Sequence, residues 1–215
     1  MKAEYSTEIL AKIHLSKRNT VQEITLDMAN SMKLIAKQSF PKATQVIDRF
    51  HVQKLAIEAL QDIRIKHRWE AIDLENLELT RAKKEGKIYT EKRFENGDSP
   101  KQLLARSRYL LFKSKDKWSE TQKVRAELLF EQYPDIKKAY ELVHGLRLIF
   151  NQNIEKNVAR LKLALWYQKV EKSEFKSFNI LGRTIELNYE GILNFFNNRS
   201  TNASAGIFQC QNKSF

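Results

Sequence analysis

From Val52 to about Glu85 the chain runs through VQKLAIEALQDIRIKHRWEAIDLENLELTRAKKE without one glycine or proline. Those two residues are what ordinarily interrupts a helix, glycine through backbone entropy and proline through its missing N–H and its clash with the preceding turn. Good helix formers fill the interval, with apolar residues at Leu55, Ala59, Ile63, Ile72, Leu74 and Leu79. The stretch therefore predicts one long helix or two nearly collinear ones. Six glycines and three prolines in all 215 residues extend the same expectation to most of the chain.

Further helices fit SPKQLLARSRYLLF, KWSETQKVRAELLFEQY, PDIKKAYELVHGLRLIF and IEKNVARLKLALWYQKVEKSEF, each apolar at three- and four-residue spacing. Ser99 stands where a helix start wants a cap, and Pro134 where it accepts a first-turn proline. EGKIYTEKRFENGDSP is a polar break between them, and no repeat of fixed period occurs. Trp166, Tyr167, Phe175 and Phe178 read as core by their spacing and neighbours.

The front of the chain is different. TVQEITLDMA carries a β-branched run bounded by Asn19 and Asn30, which predicts a buried strand ending near Asp27. ATQVIDRFH, after Pro41, predicts a second short strand, and NSMKLIAKQSF between them places Met32, Ile35, Ala36 and Phe40 on one helical face. Together they make a βαβ unit with parallel strands, joined right-handedly. Asp27 and Asp48 then stand at the carboxyl ends of neighbouring strands, where open α/β sheets gather their ligands. Two strands are too few for an α/β domain, so further strands are expected upstream.

Thirty-eight Lys and Arg against 26 Asp and Glu give a formal net charge of +12, which suits a nucleic-acid partner or an anionic membrane surface. No apolar run approaches the roughly 20 residues needed to cross a bilayer, and MKAEYSTEIL lacks the apolar stretch of a signal peptide. A cytoplasmic protein with no membrane role is expected. Cys210 is the lone cysteine, so neither a disulfide framework nor a cysteine zinc site is available. His14, His51, His67 and His144 lack metal-ligand spacing, which leaves carboxylates for any metal.

Asp27, Asp48 and His51 form the front-end constellation. Phosphodiester cleavage often uses carboxylates from different elements to hold a pair of Mg²⁺ ions. A strand-end aspartate that caps the next helix is the competing reading, and at Asp27 spacing alone favours it. Among the helices, Lys101, Arg106, Arg108, Lys113, Lys115 and Lys117 are candidates for DNA phosphate contacts with Tyr109 or Trp118 nearby, against the alternative of a solvated helix face.

EITLDMANSMKLIAKQSFPKATQVIDRFHVQKLAIEALQDIR resembles the DDE transposases of bacterial insertion sequences, in particular the ISL-three group. That group shows a strand ending in Asp, a helix, a P.A....DRFH segment and a long helix. The resemblance spans Ala3 to Ala205, and DRFHV and RSTNA.A are its most distinctive pieces. It implies a mostly α chain with a small α/β part, a partial RNase H-like fold interrupted by a large helical insertion. The corresponding segments are 1–51 (partial RNase H-like βαβ), 52–171 (helical insertion), 172–205 (returning helical segment) and 206–215 (aberrant tail).

The resemblance further implies three metal-binding acids, Mg²⁺ as cofactor, DNA as partner, and strand cleavage and transfer. Asp27 matches the second acidic position and is the expected catalytic and metal-binding residue; Asp48 and His51 match the DRFH motif beside it and are candidates for a site-proximal role, structural or DNA-proximal on one reading and metal-binding on the other. The first acid is expected upstream of Met1. An intact transposase or a second copy is the expected protein partner. The alternative function is a non-catalytic, basic helical protein that binds nucleic acid or interferes with a transposase.

In the family the TNA.A segment continues into E.FN..IK, a helix carrying the third acid, whereas here Gly206 to Phe215 contains no Asp or Glu. Back-translated and read with one nucleotide removed, that decapeptide can spell Glu-Ser-Phe-Asn-Ala-Lys-Ile-Lys-Ala-Phe. A single inserted nucleotide after Ala205 accounts for the tail, for Cys210 and for the missing acid, and it predicts an inactive fragment. The nucleotide sequence at codon 206 tests this: its other frame must continue into a transposase-like helix.

Overall fold

The computed structural model describes residues 3–201. The last residues of the RSTNASA motif, the 206–215 tail and Cys210 lie outside them. Helix α1 (Ala3–Ala11) and the one-turn α2 (Leu15–Arg18) precede strand β1 (Glu23–Leu26), helix α3 (Asn30–Ser39) and strand β2 (Thr44–Ile47). The two strands pair in parallel, with Leu26 opposite Ile47, as the βαβ pattern predicts. Both are shorter than the β-branched runs suggest, so Asp27 and Asp48 fall just past the strand ends.

The glycine- and proline-free stretch forms a single helix, α4 (Arg49–Lys84), 36 residues long. Its buried positions, Val52, Ala56, Ala59 and Leu60, recur at three- and four-residue intervals over its first third, whereas Leu74 is exposed despite its place in the apolar pattern. A polar segment then turns at Gly97, whose φ of 78° is easy only for glycine, and leads into α5 (Pro100–Arg106). Two short 3₁₀ turns follow at Leu110–Phe112 and Lys115–Lys117.

Helices α6 (Glu120–Gln132), α7 (Pro134–Asn151), α8 (Lys156–Glu171), α9 (Lys176–Leu187) and α10 (Tyr189–Asn198) complete the described residues. Helix α6 opens on a reciprocal cap: Gln122 N donates to Ser119 Oγ, and Ser119 N donates to Gln122 Oε1. At α5, Ser99 N donates to Gln102 Oε1, and Pro100 fills the first helical position.

The chain divides into two compact units. One gathers the described residues as far as Leu55, Leu146–Gln168 and those from Ile180 on; the other gathers Ala56–Gly145 and Lys169–Asn179. In the first, α10 lies on β2 so closely that Gly191 leaves no room for a Cβ beside Ile47. Its core centres on Phe150, stacked on Phe196 at 5.6 Å and meeting Phe195 edge-on at 5.7 Å. In the second, Trp118, Phe130 and Tyr140 form an aromatic cluster with centroids 5.3–6.1 Å apart. Trp166 and Phe178 are buried as expected, while Tyr167 and Phe175 are half-buried. No helix among the described residues is long and apolar enough to cross a membrane.

Candidate functional site

Parallel pairing places Asp27 and Asp48 side by side in sequence register, each one residue beyond the last paired position. The ladder continues one bond further, with Asp48 N donating to Leu26 O at 2.9 Å. The two carboxylates nevertheless meet different surroundings. Asp48 is 4% exposed, and its Oδ1 accepts the backbone N–H of Phe50 at 2.9 Å in the first turn of α4. That contact satisfies one of the orphan donors every helix start presents. Asp27 is half-buried, and its Oδ1 accepts from Ala29 N at 2.9 Å, an Asx turn that leads the chain into α3. Its Oδ2 makes no hydrogen bond among the described residues. His51 follows in α4, half-buried, its ring edge-on to Phe50 at 5.9 Å.

The residues beside these acids form a joint that the sequence pattern alone does not disclose. Arg49 Nη1 donates to Phe150 O and Asn151 Oδ1, and its guanidinium lies 5.6 Å from the Phe195 ring centroid. Arg199 reaches the same places: Nη2 donates to Phe150 O at 2.8 Å, Nη1 to Gln152 O at 2.6 Å, and the guanidinium lies 5.3 Å from the Phe195 centroid. Arg199 also ends α10 in the left-handed conformation, φ 56°, with its N–H on Phe195 O. Two cations thus cap the carbonyl end of α7, where the helix dipole is negative. Glu23, at the start of β1, accepts from Asn198 Nδ2 at 2.7 Å and Ser200 Oγ at 2.5 Å. The signal available in sequence was the distinctiveness of DRFH and RSTNA themselves.

Of the basic candidates, Lys101 is paired with Glu75 at 2.6 Å, and Arg106 with the fully buried Asp98. Lys113 donates to Gln122 Oε1 at 3.3 Å. Arg108 is exposed, lies over the Tyr109 ring at 5.3 Å, and has no carboxylate partner among the described residues. Trp118 is buried, its indole N–H donating to Leu110 O, so it belongs to the core.

A family model described as a transposase matches residues 2–207. This chain belongs to the ISL-three group of DDE transposases. No curated protein and no solved structure matches it. The match covers both strands, the long helix and the helices that follow, so the joint at Arg49, Phe150 and Arg199 falls inside the transposase family region. So do Asp27 and Asp48.

Transposases of this kind generally use divalent metal. Among the described residues of this transposase chain, no three His, Cys, Asp or Glu side chains come together as metal ligands. Hard divalent cations want several oxygens, and Asp27 with one uncommitted oxygen does not supply them alone. The described residues therefore do not by themselves fit the metal pair that the resemblance implies.

Proposed function

We propose that this transposase chain binds DNA through its basic helices and that Asp27 is one carboxylate of the family's strand-cleavage centre, which the described residues leave incomplete. The observation that carries this reading is the contrast at the strand ends. Both accept the backbone N–H two residues on through Oδ1, but Asp48 is 4% exposed, whereas Asp27 is half-buried and its Oδ2 makes no hydrogen bond among the described residues. Residues 1–51 and 172–205 are read as RNase H-like core and 52–171 as helical insertion; α10 lying on β2 supports joining the front of the chain to its last helix, while the compact unit that holds them also takes in Leu146–Gln168 and leaves 172–179 to the other. The protein acts in the cytoplasm, on DNA.

The test combines two measurements on the whole chain. Fluorescence anisotropy with a labelled duplex is expected to show binding that weakens steeply with salt, as phosphate contacts require. Incubation with supercoiled plasmid and Mg²⁺ is expected to leave the plasmid uncut, and Asp27→Asn to leave binding unchanged. Plasmid nicking that Asp27→Asn abolishes would overturn the inactive reading; salt-independent or absent binding would overturn the DNA reading.

A second reading, interference with an intact transposase or pairing with a second copy, draws on the exposed apolar side chains Leu161, Leu165, Ile180 and Leu187 in the first unit. Sedimentation velocity at rising concentration separates it from simple DNA binding.

A further inference from the structure

Arg64, on α4, is 5% exposed, yet no carboxylate lies within ion-pair range of it among the described residues. Its Nε donates to Gln61 Oε1 at 2.6 Å and its Nη1 to Leu104 O at 2.9 Å, both neutral acceptors. Its Nη2 makes no hydrogen bond among the described residues. A guanidinium so largely removed from water normally takes an anionic partner, because neutral acceptors do not replace the lost solvation, and Nη2, which is not among the fully buried polar atoms without a partner, is the end left open.

The surroundings add cations instead. Gln61 Nε2 donates to Arg108 O at 3.4 Å, which ties the turn after α5 to the same face of α4. Arg68 lies one helical turn beyond Arg64, where side chains four residues apart share a face. Arg68 and Arg108 are both exposed and, among the described residues, also lack carboxylate partners. Burial, then the neighbouring charges of Arg108 and Arg68, lower the Arg64 pKa from its ordinary value. Beside Arg108 stands Tyr109, 69% exposed, with the guanidinium over its ring at 5.3 Å.

The bond to Leu104 O gives Arg64 a structural role at the end of α5. That role accounts neither for the bare Nη2 nor for the two further arginines. It also leaves unexplained an exposed tyrosine next to them. We infer that Arg64, Arg68 and Arg108 form a phosphate-binding site for an unpaired nucleotide of a nucleic-acid strand, whose base stacks on Tyr109. Guanidinium groups match phosphate oxygens through their forked N–H groups, and an exposed aromatic accepts any base without sequence preference.

This inference rests on the DNA-binding reading above, and the experiment separates the two. Anisotropy of a labelled 20-nucleotide single strand is followed against salt for the full chain and for Arg68→Gln/Arg108→Gln, both at exposed positions. Loss of two phosphate contacts should make the log K against log salt slope shallower by about 1.4, roughly 0.7 for each phosphate on single strands. Tyr109→Ser should weaken binding about 5- to 150-fold, equivalent to ~1–3 kcal/mol per stacked base. Tyr109→Phe, which keeps the ring, should restore it. Arg64→Lys, with helicity checked by circular dichroism, should lose affinity while the exposed-site variants keep native stability.

Binding by the wild type with unchanged slope and affinity in the variants would refute this site while leaving the DNA reading intact. No binding by the wild type would remove both. Inorganic phosphate is the control for a free anion: calorimetric saturation at these arginines that the oligonucleotide does not displace would also refute the inference.

Discussion

Replacing Gly191 by alanine should destabilise the strand ends that carry the two aspartates, although alanine is the better helix former by about 1 kcal/mol. A Cβ built at Gly191 falls 2.8 Å from Ile47 Cγ1, where ordinary contact is 3.4–4 Å, and 3.5 Å from Ile47 Cδ1. Ile47 is 2% exposed, and its Cγ1 is fixed near the backbone rather than at a flexible tip, so α10 and β2 must separate by about half an ångström. One turn along the same face, Asn194 Nδ2 donates to Gln45 O at 2.9 Å, and the same displacement would stretch that bond toward the limit of a hydrogen bond. Overpacking of this kind costs about 1–3 kcal/mol, and weakening the Asn194 bond adds up to about 1 kcal/mol. Against the propensity gain, the net loss should be about 1.5 kcal/mol, the middle of a range of about 0–3 kcal/mol.

Amide hydrogen exchange reads this locally. The Thr44 and Asp48 amides, bonded to Gln22 O and Leu26 O, should exchange about 5- to 30-fold faster in Gly191→Ala. Ile47→Ala removes the atom that clashes, at its own cost in cavity. In that background Gly191→Ala should slow exchange, because only the helix-propensity term is left. Slower exchange in the wild-type background would refute the close-packing argument, as would the same sign in both backgrounds.

Asp98→Asn should lower the stability of its unit by about 1.5–3 kcal/mol, the range for hydrogen bonds to charged groups, because the buried carboxylate accepts from Arg106, Arg125 and Asn96; thermal melting checks it. Arg199→Lys keeps the charge but not the two-carbonyl reach, and about 1–2 kcal/mol should be lost in urea midpoint stability. Burial, then Glu70 and Asp135, raise the Tyr133 pKa. A raised folded-state pKa gives stability that is present below the unfolded value near 10 and lost as pH rises through the folded one. Tyr133→Phe should flatten that alkaline loss in urea midpoints measured across the same range.

Local chemistry made much of this fold readable. The β-branched runs around Ile24 and Val46 mark both strands, the missing glycine and proline mark α4, and Pro134 marks the start of α7. Helix α1 escaped because AEYSTEILA has no strong apolar face, and α2 because a single turn carries too few residues for a period. The interleaving of the two units is invisible locally, since it depends on which distant segments pack together. The same holds within α4, where Ala56 is buried and Leu74 exposed for tertiary reasons.

At the site, the βαβ pattern was enough to make Asp27 and Asp48 neighbours, but not to distinguish them. Each accepts one backbone N–H through Oδ1, and their difference lies in burial, which spacing does not reveal. Lys101 and Arg106 look like free surface charges in sequence because Glu75 lies 26 residues away and Asp98 eight. Arg64 passes unnoticed among the charged residues of a long helix until its burial and its neutral partners are seen together.

The most recognisable letters of the family resemblance turn out to serve the framework. In DRFH, Asp48 caps α4 and Arg49 holds the end of α7; Arg199 binds the same Phe150 carbonyl from the other end of the chain. A carbonyl shared by two arginines, both over one phenylalanine ring, fixes three segments more firmly than either contact alone, because losing one arginine leaves the other still in place. Each arginine there serves packing and helix capping through its own contacts. The family match covers every residue of this joint, and none of its contacts needs a metal centre. Asp27→Asn lies outside the joint and away from the α4 cap, so it should leave the fold intact, and any plasmid nicking that it abolished would report chemistry at Asp27 rather than loss of folding.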